Sequence, residues 1–304
     1  MIAVVTQGGL KEGLGHVMRM LCLMDELGFD ATFLLNGYDD VVFRIVRDRG
    51  FDVLSGDQSK LIEDVKPDVT IFDKFDVEEE LAAKARRFGK VIMFDSTTAN
   101  EFADLTVNAL VSCKGKDCYH GLRYLILRKE FSDFWKMNRM IRDEVEKIML
   151  IFGGSDPSNL TAKVLRIMED FDVTVVVGPR YVYFKELERI AEEKNAEILV
   201  NPRNIAKLMF RSDLVITSLG LTMFEAMCVG TPVLAICQND TQRWIKSHMP
   251  FLKFVLSEFD ESEFMKNFEI LLDGEVRENL SKFGKSLCDG MGLFRVVNLI
   301  QNLI

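Results

Sequence analysis

The chain contains two glycine-rich turns, one in each half. Each turn follows an apolar, strand-like run and precedes a helix-like run. The first is Gly13-Leu14-Gly15-His16-Val17-Met18-Arg19, and the second is Ser218-Leu219-Gly220-Leu221-Thr222-Met223-Phe224-Glu225. A turn of this kind at the start of a helix leaves backbone N–H groups and the helix dipole free to bind an anion. The pattern predicts a two-lobed α/β protein that binds a phosphorylated ligand in the cleft between its lobes.

Strand-like and helix-like runs alternate along most of the chain. In the first half, strands are predicted at 1–6, 31–35, 51–54, 69–72 and 90–94, with helices at about 14–28, 40–49 and 77–88 and another before Pro67. A polar, helix-like stretch at about 131–145 is interpreted as the connection between lobes. The pattern restarts with strands at 147–152, 173–177, 197–200, 214–217 and 232–236, and it ends in a helical segment from about 260. This alternation predicts parallel, doubly wound sheets.

Charge and hydropathy argue against two classes of partner. The formal net charge is −9, and no segment is strongly basic, which disfavours nucleic acid as a partner. No apolar run approaches the length that spans a bilayer, so no integral membrane segment is expected. The first residues, Met1 to Thr6, lack the basic region and cleavage site of a signal peptide, and a cytoplasmic location is predicted.

The six cysteines form no C-x-x-C pair. Cys113, Cys118 and His120 lie close together, but a fourth ligand is not evident and the spacing does not match common zinc sites. The sequence therefore predicts reduced thiols, no bound metal and no cofactor.

The first glycine turn carries candidate catalytic residues. Gly13 and Gly15 allow a tight turn and a close approach to a ligand. His16 then stands at the mouth of the helix, where it can accept a proton, and Arg19 could hold a sugar oxygen or a carboxylate. A capping histidine beside a solvated arginine fits the spacing about equally well. Asp73 and Asp95, each at a strand end, could line the cleft near His16, although strand-end aspartates also commonly cap helices.

The second half contains two candidate anion sites. One is the turn Gly153-Gly154-Ser155-Asp156-Pro157, which could donate N–H groups to a diphosphate or could be an ordinary turn from strand to helix, with Ser158 or Asn159 as the N-cap. In the other, Ser218, Gly220 and Thr222 place hydroxyl and backbone groups at a helix start. Glu225 lies one turn further along the same helix and could accept hydrogen bonds from vicinal ribose hydroxyls, or it could interact with the helix dipole.

Together these motifs resemble the nucleotide-sugar hydrolases of pseudaminic acid biosynthesis and the related spore-coat polysaccharide proteins of the SpsG type. More distantly, the chain is similar to the MurG-like glycosyltransferases of the GT-B fold. The matching segments spread over residues 1–242 in the family's order, namely Gly13 to Arg19, Tyr124 to Phe131, Ile151 to Thr161 and Asp213 to Pro232.

The resemblance implies removal of UDP from a UDP-linked diacetamido-trideoxyhexose by attack of water at the anomeric carbon, without a metal. It implies that His16 activates the water, and Asp73, at a strand end that could line the cleft near His16, is the second predicted catalytic residue. It also implies that Gly154, Ser218, Gly220, Thr222 and Glu225 hold UDP. The resulting expectation is a GT-B protein with an N-terminal, catalytic lobe at 1–140 and a nucleotide-binding lobe at 146–285. A last helix within 286–304 would cross back to the first lobe.

The chain departs from the hydrolases at two places. They carry Asp-His-Tyr-Gly where this chain has Asp73-Lys74-Phe75-Asp76, so the tyrosine hydroxyl is missing at Phe75. They also carry Asn-Gln where this chain has Thr241-Gln242. Because polar contacts near a reacting sugar can change specificity by orders of magnitude, a different sugar or an acceptor other than water is expected.

Three functions remain open from the sequence. The first is a UDP-sugar hydrolase of surface-polysaccharide or nonulosonic acid biosynthesis. The second is a glycosyltransferase with a glycan or lipid-linked acceptor, which an apolar face near residues 36–60 would favour. The third is a nucleotide-sugar binding protein without catalysis.

Overall fold

The computed structural model describes residues 1–7, 13–113 and 117–304. The chain forms two compact units. Unit 1 consists of Met1–Arg128 and Met291–Ile304, and unit 2 consists of Lys129–Gly290. Each unit is built around its own parallel sheet, with helices between successive strands.

The sheet of unit 1 has seven strands in the order β3-β2-β1-β4-β5-β6-β7. These are β1 (Ile2–Thr6), β2 (Ala31–Leu35), β3 (Asp52–Ser55), β4 (Val69–Asp73), β5 (Lys90–Phe94), β6 (Leu105–Asn108) and β7 (Cys118–His120). Every recorded pair of neighbouring strands is parallel. The strand order reverses between β1 and β4, the position at which open α/β sheets bind ligands at the carboxyl ends of their strands.

The helices of unit 1 cover its sheet. They are α1 (Gly15–Leu27), α2 (Asp40–Arg47), α3 (Gln58–Val65), α4 (Glu79–Phe88) and, from the end of the chain, α13 (Gly292–Leu303); two short 3₁₀ turns lie at Asn100–Phe102 and Leu122–Tyr124. Helix α13 packs on α1, and the Lys90 ammonium donates a hydrogen bond to the Leu303 carbonyl.

The core of unit 1 lies on both faces of the sheet. Along β1, Val4 belongs to the hydrophobic cluster under α1, whereas its neighbours Ala3 and Val5 belong to the cluster under α3 and α4. Alternate side chains of a strand point to opposite faces, so a strand buried on both faces must be apolar throughout. This is why the strand residues read as continuous apolar runs in the sequence.

Unit 2 has a six-stranded parallel sheet in the order β10-β9-β8-β11-β12-β13. Its strands are β8 (Lys147–Ile151), β9 (Asp172–Val177), β10 (Glu197–Val200), β11 (Leu214–Ser218), β12 (Val233–Ile236) and β13 (Val255–Leu256). Its helices are α5 (Glu130–Trp135), α6 (Leu160–Ile167), α7 (Phe184–Lys194), α8 (Ile205–Arg211), α9 (Leu221–Cys228), α10 (Asp240–His248), α11 (Glu261–Leu271) and α12 (Gly274–Leu287). The predicted α/β fold with two Rossmann-like lobes is confirmed by these two sheets.

Two expectations from the sequence were wrong in detail. The helix predicted over 131–145 ends at Trp135, and the chain then runs without regular structure to β8. Arg139 holds part of this segment in place by donating to the backbone carbonyls of Phe210 and Ser212. These contacts with a distant part of the chain stabilise a non-helical path through a stretch whose composition suits a helix.

The second correction concerns Cys113 and Cys118, which were expected to be reduced. The structure joins them by a disulfide, with their Cα atoms 6.1 Å apart. Parallel pairing of β7 with β6 places Cys118 opposite Thr106 and so brings the chain back toward Cys113. Among the described residues the other four cysteines form no disulfide, and burial raises the pKa of Cys228 to about 12.

Candidate functional site

The predicted catalytic residues of unit 1 lie at the carboxyl ends of adjacent strands. Asp73 is the last residue of β4 and is paired in register with Thr6 at the end of β1. Asp95 directly follows β5, and β5 pairs with β4 on the side of β4 that faces away from β1. Helix α1 carries His16 in its first turn and Arg19 one turn later, so the sheet and the helix bring four polar side chains together.

His16 and Arg19 share one carboxylate. The His16 Nδ1 atom lies 2.9 Å from Asp73 Oδ1. The Arg19 guanidinium donates from Nε to Asp73 Oδ2 at 2.9 Å and from Nη2 to Asp73 Oδ1. This is a bidentate arginine–carboxylate pair, the strongest and most directional form of the interaction.

The same guanidinium also contacts a second carboxylate. Arg19 Nη1 donates to Asp95 Oδ2, at 2.5 Å. Both aspartates and the arginine are buried, and the His16 side chain is 15% exposed. We call His16, Arg19, Asp73 and Asp95 the buried charge cluster.

Burial and neighbouring charges shift the pKa of Asp73 in opposite directions. Burial by itself would raise the pKa of this carboxyl, but Arg19 and His16 together lower the pKa to about 2. Burial likewise acts to lower the pKa of Arg19, and the two aspartates outweigh it and raise that pKa. Asp73 is therefore an ionised carboxylate at neutral pH, and it can only accept hydrogen bonds.

This protonation state decides the tautomer of His16. Because ionised Asp73 accepts, the Nδ1 atom of a neutral His16 must carry the hydrogen, which leaves the lone pair on Nε2. Among the described residues, Nε2 has no hydrogen-bond partner. The Phe75 ring packs nearly perpendicular to the imidazole, with ring centroids 5.7 Å apart. The arrangement orients His16 as a proton acceptor at Nε2.

The glycines of the first turn have different environments. Gly13 has a φ of +75°, which favours glycine, and a Cβ there would meet no atom within 4 Å. Gly15 is the first residue of α1, whose N-cap, Leu14, supplies no side-chain hydrogen bond. Within the described part of the chain, the N-terminus of α1 thus has no side-chain cap.

In unit 2, the turn after β8 approaches the backbone of the next strand closely. A Cβ on Gly178, just after β9, would lie 2.4 Å from the Gly154 Cα atom and 2.5 Å from the Gly154 carbonyl oxygen. Gly153 has a φ of +80° with open space beside it. The need for glycine at 178 arises from this contact between two loops, and the local sequence carries no sign of it.

Asp156 caps the helix that follows this turn. Its Oδ1 accepts from Leu160 N–H at 2.9 Å and its Oδ2 from Thr161 N–H at 2.8 Å. Asn159 occupies the N-cap position, but its side chain instead bonds Glu186 and the Tyr181 hydroxyl. Burial raises the pKa of Asp156, and these backbone hydrogen bonds oppose the rise without cancelling it.

The turn after β11 begins a helix with an open N-terminus. Gly220 is the N-cap of α9, no side chain caps this helix, and a Cβ on Gly220 would meet nothing within 4 Å. Among the described residues, the Ser218 and Thr222 hydroxyls have no hydrogen-bond partner. Glu225 lies buried one turn further along α9. Free N–H groups, two hydroxyls and open space make this turn suited to an anionic ligand.

Gln242 lies at the neighbouring strand end. Its Oε1 accepts from the Gln238 backbone N–H at 2.7 Å, and its own N–H donates to Asn239, the N-cap of α10. Gln238 also donates to the Phe152 carbonyl at 3.1 Å, which ties the loop after β12 to the end of β8. The sequence interpretation had not included Gln238 or Asn239, because only the fold brings these loops together.

The predicted site residues thus form two groups, each inside one unit. His16, Arg19 and Asp73 meet directly, next to Gly13 and Gly15. In unit 2 the turns that carry Gly153, Ser155, Ser218 and Gln242 follow β8, β11 and β12, three adjacent strands of one sheet. The part played by Asp95 was missed: its place after a strand was visible in the sequence, but its ion pair with Arg19 depends on the packing of α1.

The fold identifies the class of protein. MurG of Acinetobacter baumannii has a TM-score of 0.67 with 14% sequence identity over 99% of each chain. The spinosyn rhamnosyltransferase SpnG, solved with thymidine diphosphate, has a TM-score of 0.63 with 12% identity, over 98% of this chain and 100% of that one. The chain therefore has the GT-B fold of MurG-like proteins.

Sequence relatives define the group within that fold. The Bacillus subtilis spore coat polysaccharide biosynthesis protein SpsG is 25% identical over an alignment of 337 residues, covering 99% of this chain and 98% of SpsG. The UDP-2,4-diacetamido-2,4,6-trideoxy-beta-L-altropyranose hydrolase of Campylobacter jejuni is 24% identical over 260 residues, covering 77% and 91%. The resemblance inferred from the motifs is confirmed: the chain is similar in sequence to SpsG and to the Campylobacter UDP-sugar hydrolase.

A longer relative is more similar still. An uncharacterized protein of Methanocaldococcus jannaschii is 37% identical over 273 residues, which cover 80% of this chain and 56% of that protein. The chain therefore spans little more than half the length of this relative. No family model matches the chain.

A search of the described helices for a membrane span found none: no helix there combines the required length with sufficient hydropathy.

Proposed function

We propose that this protein cleaves a UDP-linked sugar at the anomeric carbon and releases UDP. The observation that carries the proposal is the His16–Asp73 pair, in which an ionised, buried carboxylate holds the imidazole with its Nε2 lone pair unbonded. That arrangement is the one a general base needs in order to take a proton from a nucleophile. The similarity to a UDP-sugar hydrolase supports the choice of substrate.

The proposed reaction uses water as the nucleophile. A water oxygen attacks the anomeric carbon, the bond from that carbon to the diphosphate oxygen breaks, and UDP leaves with the bonding electron pair. His16 Nε2 takes the proton that the water loses, and Asp73 stabilises the imidazolium through Nδ1. The sugar is released with a free anomeric hydroxyl.

In this proposal unit 2 binds the nucleotide. The open N-terminus of α9 and the turn at Gly153 and Gly154 would donate backbone N–H groups to the diphosphate, and they would stabilise the negative charge that grows on it. Glu225 would accept from the ribose hydroxyls. Asp156 would act on this site through the cap of α6, since both its oxygens are bonded to backbone.

The sugar is proposed to differ from that of the Campylobacter enzyme. The Phe75 ring packs nearly perpendicular to the His16 ring, at the sequence position where the hydrolases carry a tyrosine, and Thr241 replaces an asparagine. The loss of two polar groups would favour a sugar with fewer or differently placed hydrogen-bonding substituents.

A glycosyltransferase is the second candidate, because solved structures with this fold include glycosyltransferases. An acceptor-binding face would need exposed apolar surface near residues 36–60. The exposed large hydrophobic side chains in that range are Tyr38 and Leu54. Helix α2 buries its apolar residues Val42, Phe43 and Val46 in the core. This limited apolar surface favours the hydrolase.

Calorimetric titration with UDP in metal-free buffer, with ADP and GDP as controls, tests the nucleotide assignment. Selective micromolar binding of UDP is expected. Glu225→Ala should weaken it by about 1–3 kcal/mol if Glu225 bonds the ribose. A protein that binds none of the three nucleotides would contradict the proposal.

Release of UDP from a panel of UDP-sugars then tests the reaction. We expect UDP and free sugar in equal amounts without an added acceptor. Release that depends on a glycan or lipid acceptor would instead identify a transferase.

A further inference from the structure

The buried charge cluster contains one more carboxylate than an oriented histidine requires. Asp73 alone is enough to fix the tautomer of His16 and to pair with Arg19. Asp95 makes no recorded contact with His16, yet it is buried and bonded to the same guanidinium. Since an ionised aspartate is rarely buried without a strong reason, its presence asks for an explanation.

The position of Asp95 is determined by the backbone of its own unit. Its N–H donates to the Val107 carbonyl at 3.1 Å, and its Oδ1 accepts from the Leu110 N–H at 2.9 Å. Its φ is +50°, a conformation that non-glycine residues seldom adopt, although aspartate does so more readily than most. These constraints leave Oδ2 facing Arg19 Nη1.

All three nitrogen atoms of the Arg19 guanidinium donate a hydrogen bond inside the cluster. Nε and Nη2 bond Asp73, and Nη1 bonds Asp95. The guanidinium plane is held at both ends, so the two Asp73 oxygens, and with them the hydrogen bond to His16, are held in one orientation. Arg19 acts through Asp73.

The charges of the cluster balance only when His16 is protonated. With a neutral imidazole, two carboxylates face one guanidinium and the net charge is −1. With an imidazolium the net charge is zero. Lys74, the next residue after Asp73, is directed to Gln58 and Glu78 rather than into the cluster. Without Asp95, the cluster would be neutral before proton transfer and would carry +1 after it, in a buried environment where unbalanced charge is costly.

We propose that Asp95 is a positioning residue for the reaction, which anchors Arg19 and supplies the negative charge that balances the proton taken up by His16. This inference rests on the proposed function, because it explains why the base is a good proton acceptor in the transition state. It assigns Asp95 no contact with the substrate.

Asp95→Asn tests the inference, because it keeps the shape and removes the charge. Asparagine also has one acceptor oxygen where Asp95 uses two, so one of its N–H partners loses its bond. Asp104→Asn is the matched control: Asp104 also accepts from an arginine, Arg86, and from a backbone N–H, that of Val91, but it lies outside the cluster. We expect the Asp104→Asn control to release UDP with the kcat of the wild type.

For Asp95→Asn we expect kcat to fall roughly 10- to 100-fold, with KM and the affinity for UDP within about twofold of wild type. The acid limb of the kcat/KM profile should move to lower pH, because the variant protonates His16 less readily. A damaged fold would not shift this limb in that direction. Wild-type kcat with an unmoved acid limb would overturn the inference and leave the proposed function intact.

A measurement without substrate separates the inference from the proposed function. Among the three histidines of the chain, the ring ¹⁵N signals of His16 are assigned by their loss in His16→Ala. Both proteins should show the Nδ1–H tautomer when His16 is neutral, because Asp73 is unchanged, but the imidazolium signals should appear at a lower pH in Asp95→Asn than in the wild type. Imidazolium signals that appear at the same pH in both proteins would overturn the inference even if no UDP-sugar is turned over. If Asp95→Asn does not fold, Asp95→Gly provides the same readout, since glycine adopts the positive φ and also removes the charge.

Discussion

Asp73 and Asp156 are both buried aspartates at the carboxyl ends of central strands, one in each unit, and their environments differ in kind. Asp73 lies between an arginine and a histidine, and its pKa is lowered to about 2. Asp156 accepts two backbone N–H groups, and burial raises its pKa. A buried aspartate near the end of a central strand thus holds a charged group in unit 1 and caps a helix in unit 2.

The two units place their buried carboxylates in two different kinds of environment. Unit 1 concentrates ionised side chains around His16, which suits proton transfer. Unit 2 uses the buried carboxylate of Asp156 as a helix cap and leaves backbone N–H groups and glycines at the strand ends, which suits binding of phosphate. The experiments below test this contrast.

The largest effect is expected for His16→Ala. The rate of UDP release should fall about 10²- to 10⁴-fold, the usual contribution of a general base, while UDP affinity stays within twofold because unit 2 is unchanged. His120→Ala, a change at an exposed histidine of the same unit, should leave the rate unaltered. Steady-state kinetics and calorimetry measure both quantities. An intact rate in His16→Ala would show that another group is the base.

Asp73→Asn and Asp156→Asn compare the two aspartates by stability. Asp73→Asn breaks a buried ion pair and should lower the free energy of unfolding by about 3–5 kcal/mol. Asp156→Asn removes one of two backbone acceptors and should cost about 1 kcal/mol. Urea unfolding at pH 7 measures both. Equal losses would mean that the charge on Asp73 is not what distinguishes the two sites.

The pH dependence of stability should reflect Asp73. Because its folded pKa lies below the ordinary value of 3.8, its contribution is complete above about pH 4 and is lost as the pH falls toward about 2. The shift corresponds to about 2 kcal/mol. The raised pKa of Asp156 acts with the opposite sign, since ionisation of this residue disfavours the folded state.

Urea unfolding between pH 5 and pH 2.5 measures this dependence. Asp73→Asn should flatten the curve, and Asp156→Asn should leave it slightly steeper than wild type. A wild-type slope in Asp73→Asn would assign the acid sensitivity to other carboxylates.

Two glycines of unit 2 separate the effect of a clash on stability from the effect of a blocked site on UDP affinity. Gly178→Ala places a Cβ against the Gly154 backbone and should destabilise the protein by about 1–3 kcal/mol. Gly220→Ala meets open space at an extended φ, so the melting temperature should not change, while UDP affinity should fall because the methyl group occupies the space a diphosphate would use. Unchanged affinity in Gly220→Ala would place the ligand elsewhere.

Much of the fold was predictable because buried parallel strands need continuous apolar runs. The strands at 69–72 and 214–217 were read from the sequence almost to the residue. Short edge strands were missed, among them β7 and β13, because two or three residues carry no periodic signal. The helix expected beyond Trp135 does not form. The local sequence favours a helix there, but the long-range hydrogen bonds of Arg139 stabilise a non-helical path.

The sequence by itself determined the order of strands, turns and helices, and with it which residues stand at strand ends and helix starts, since those positions follow from local patterns of apolar residues and glycines. It pointed to His16 and Asp73 in this way. Only the tertiary structure decided which of these residues form ion pairs and hydrogen bonds with one another. The pairing of Arg19 with both Asp73 and Asp95, and the use of Asp156 as a cap, depend on how a helix packs on its sheet, because Coulomb and hydrogen-bond energies depend on distances between residues far apart in the chain.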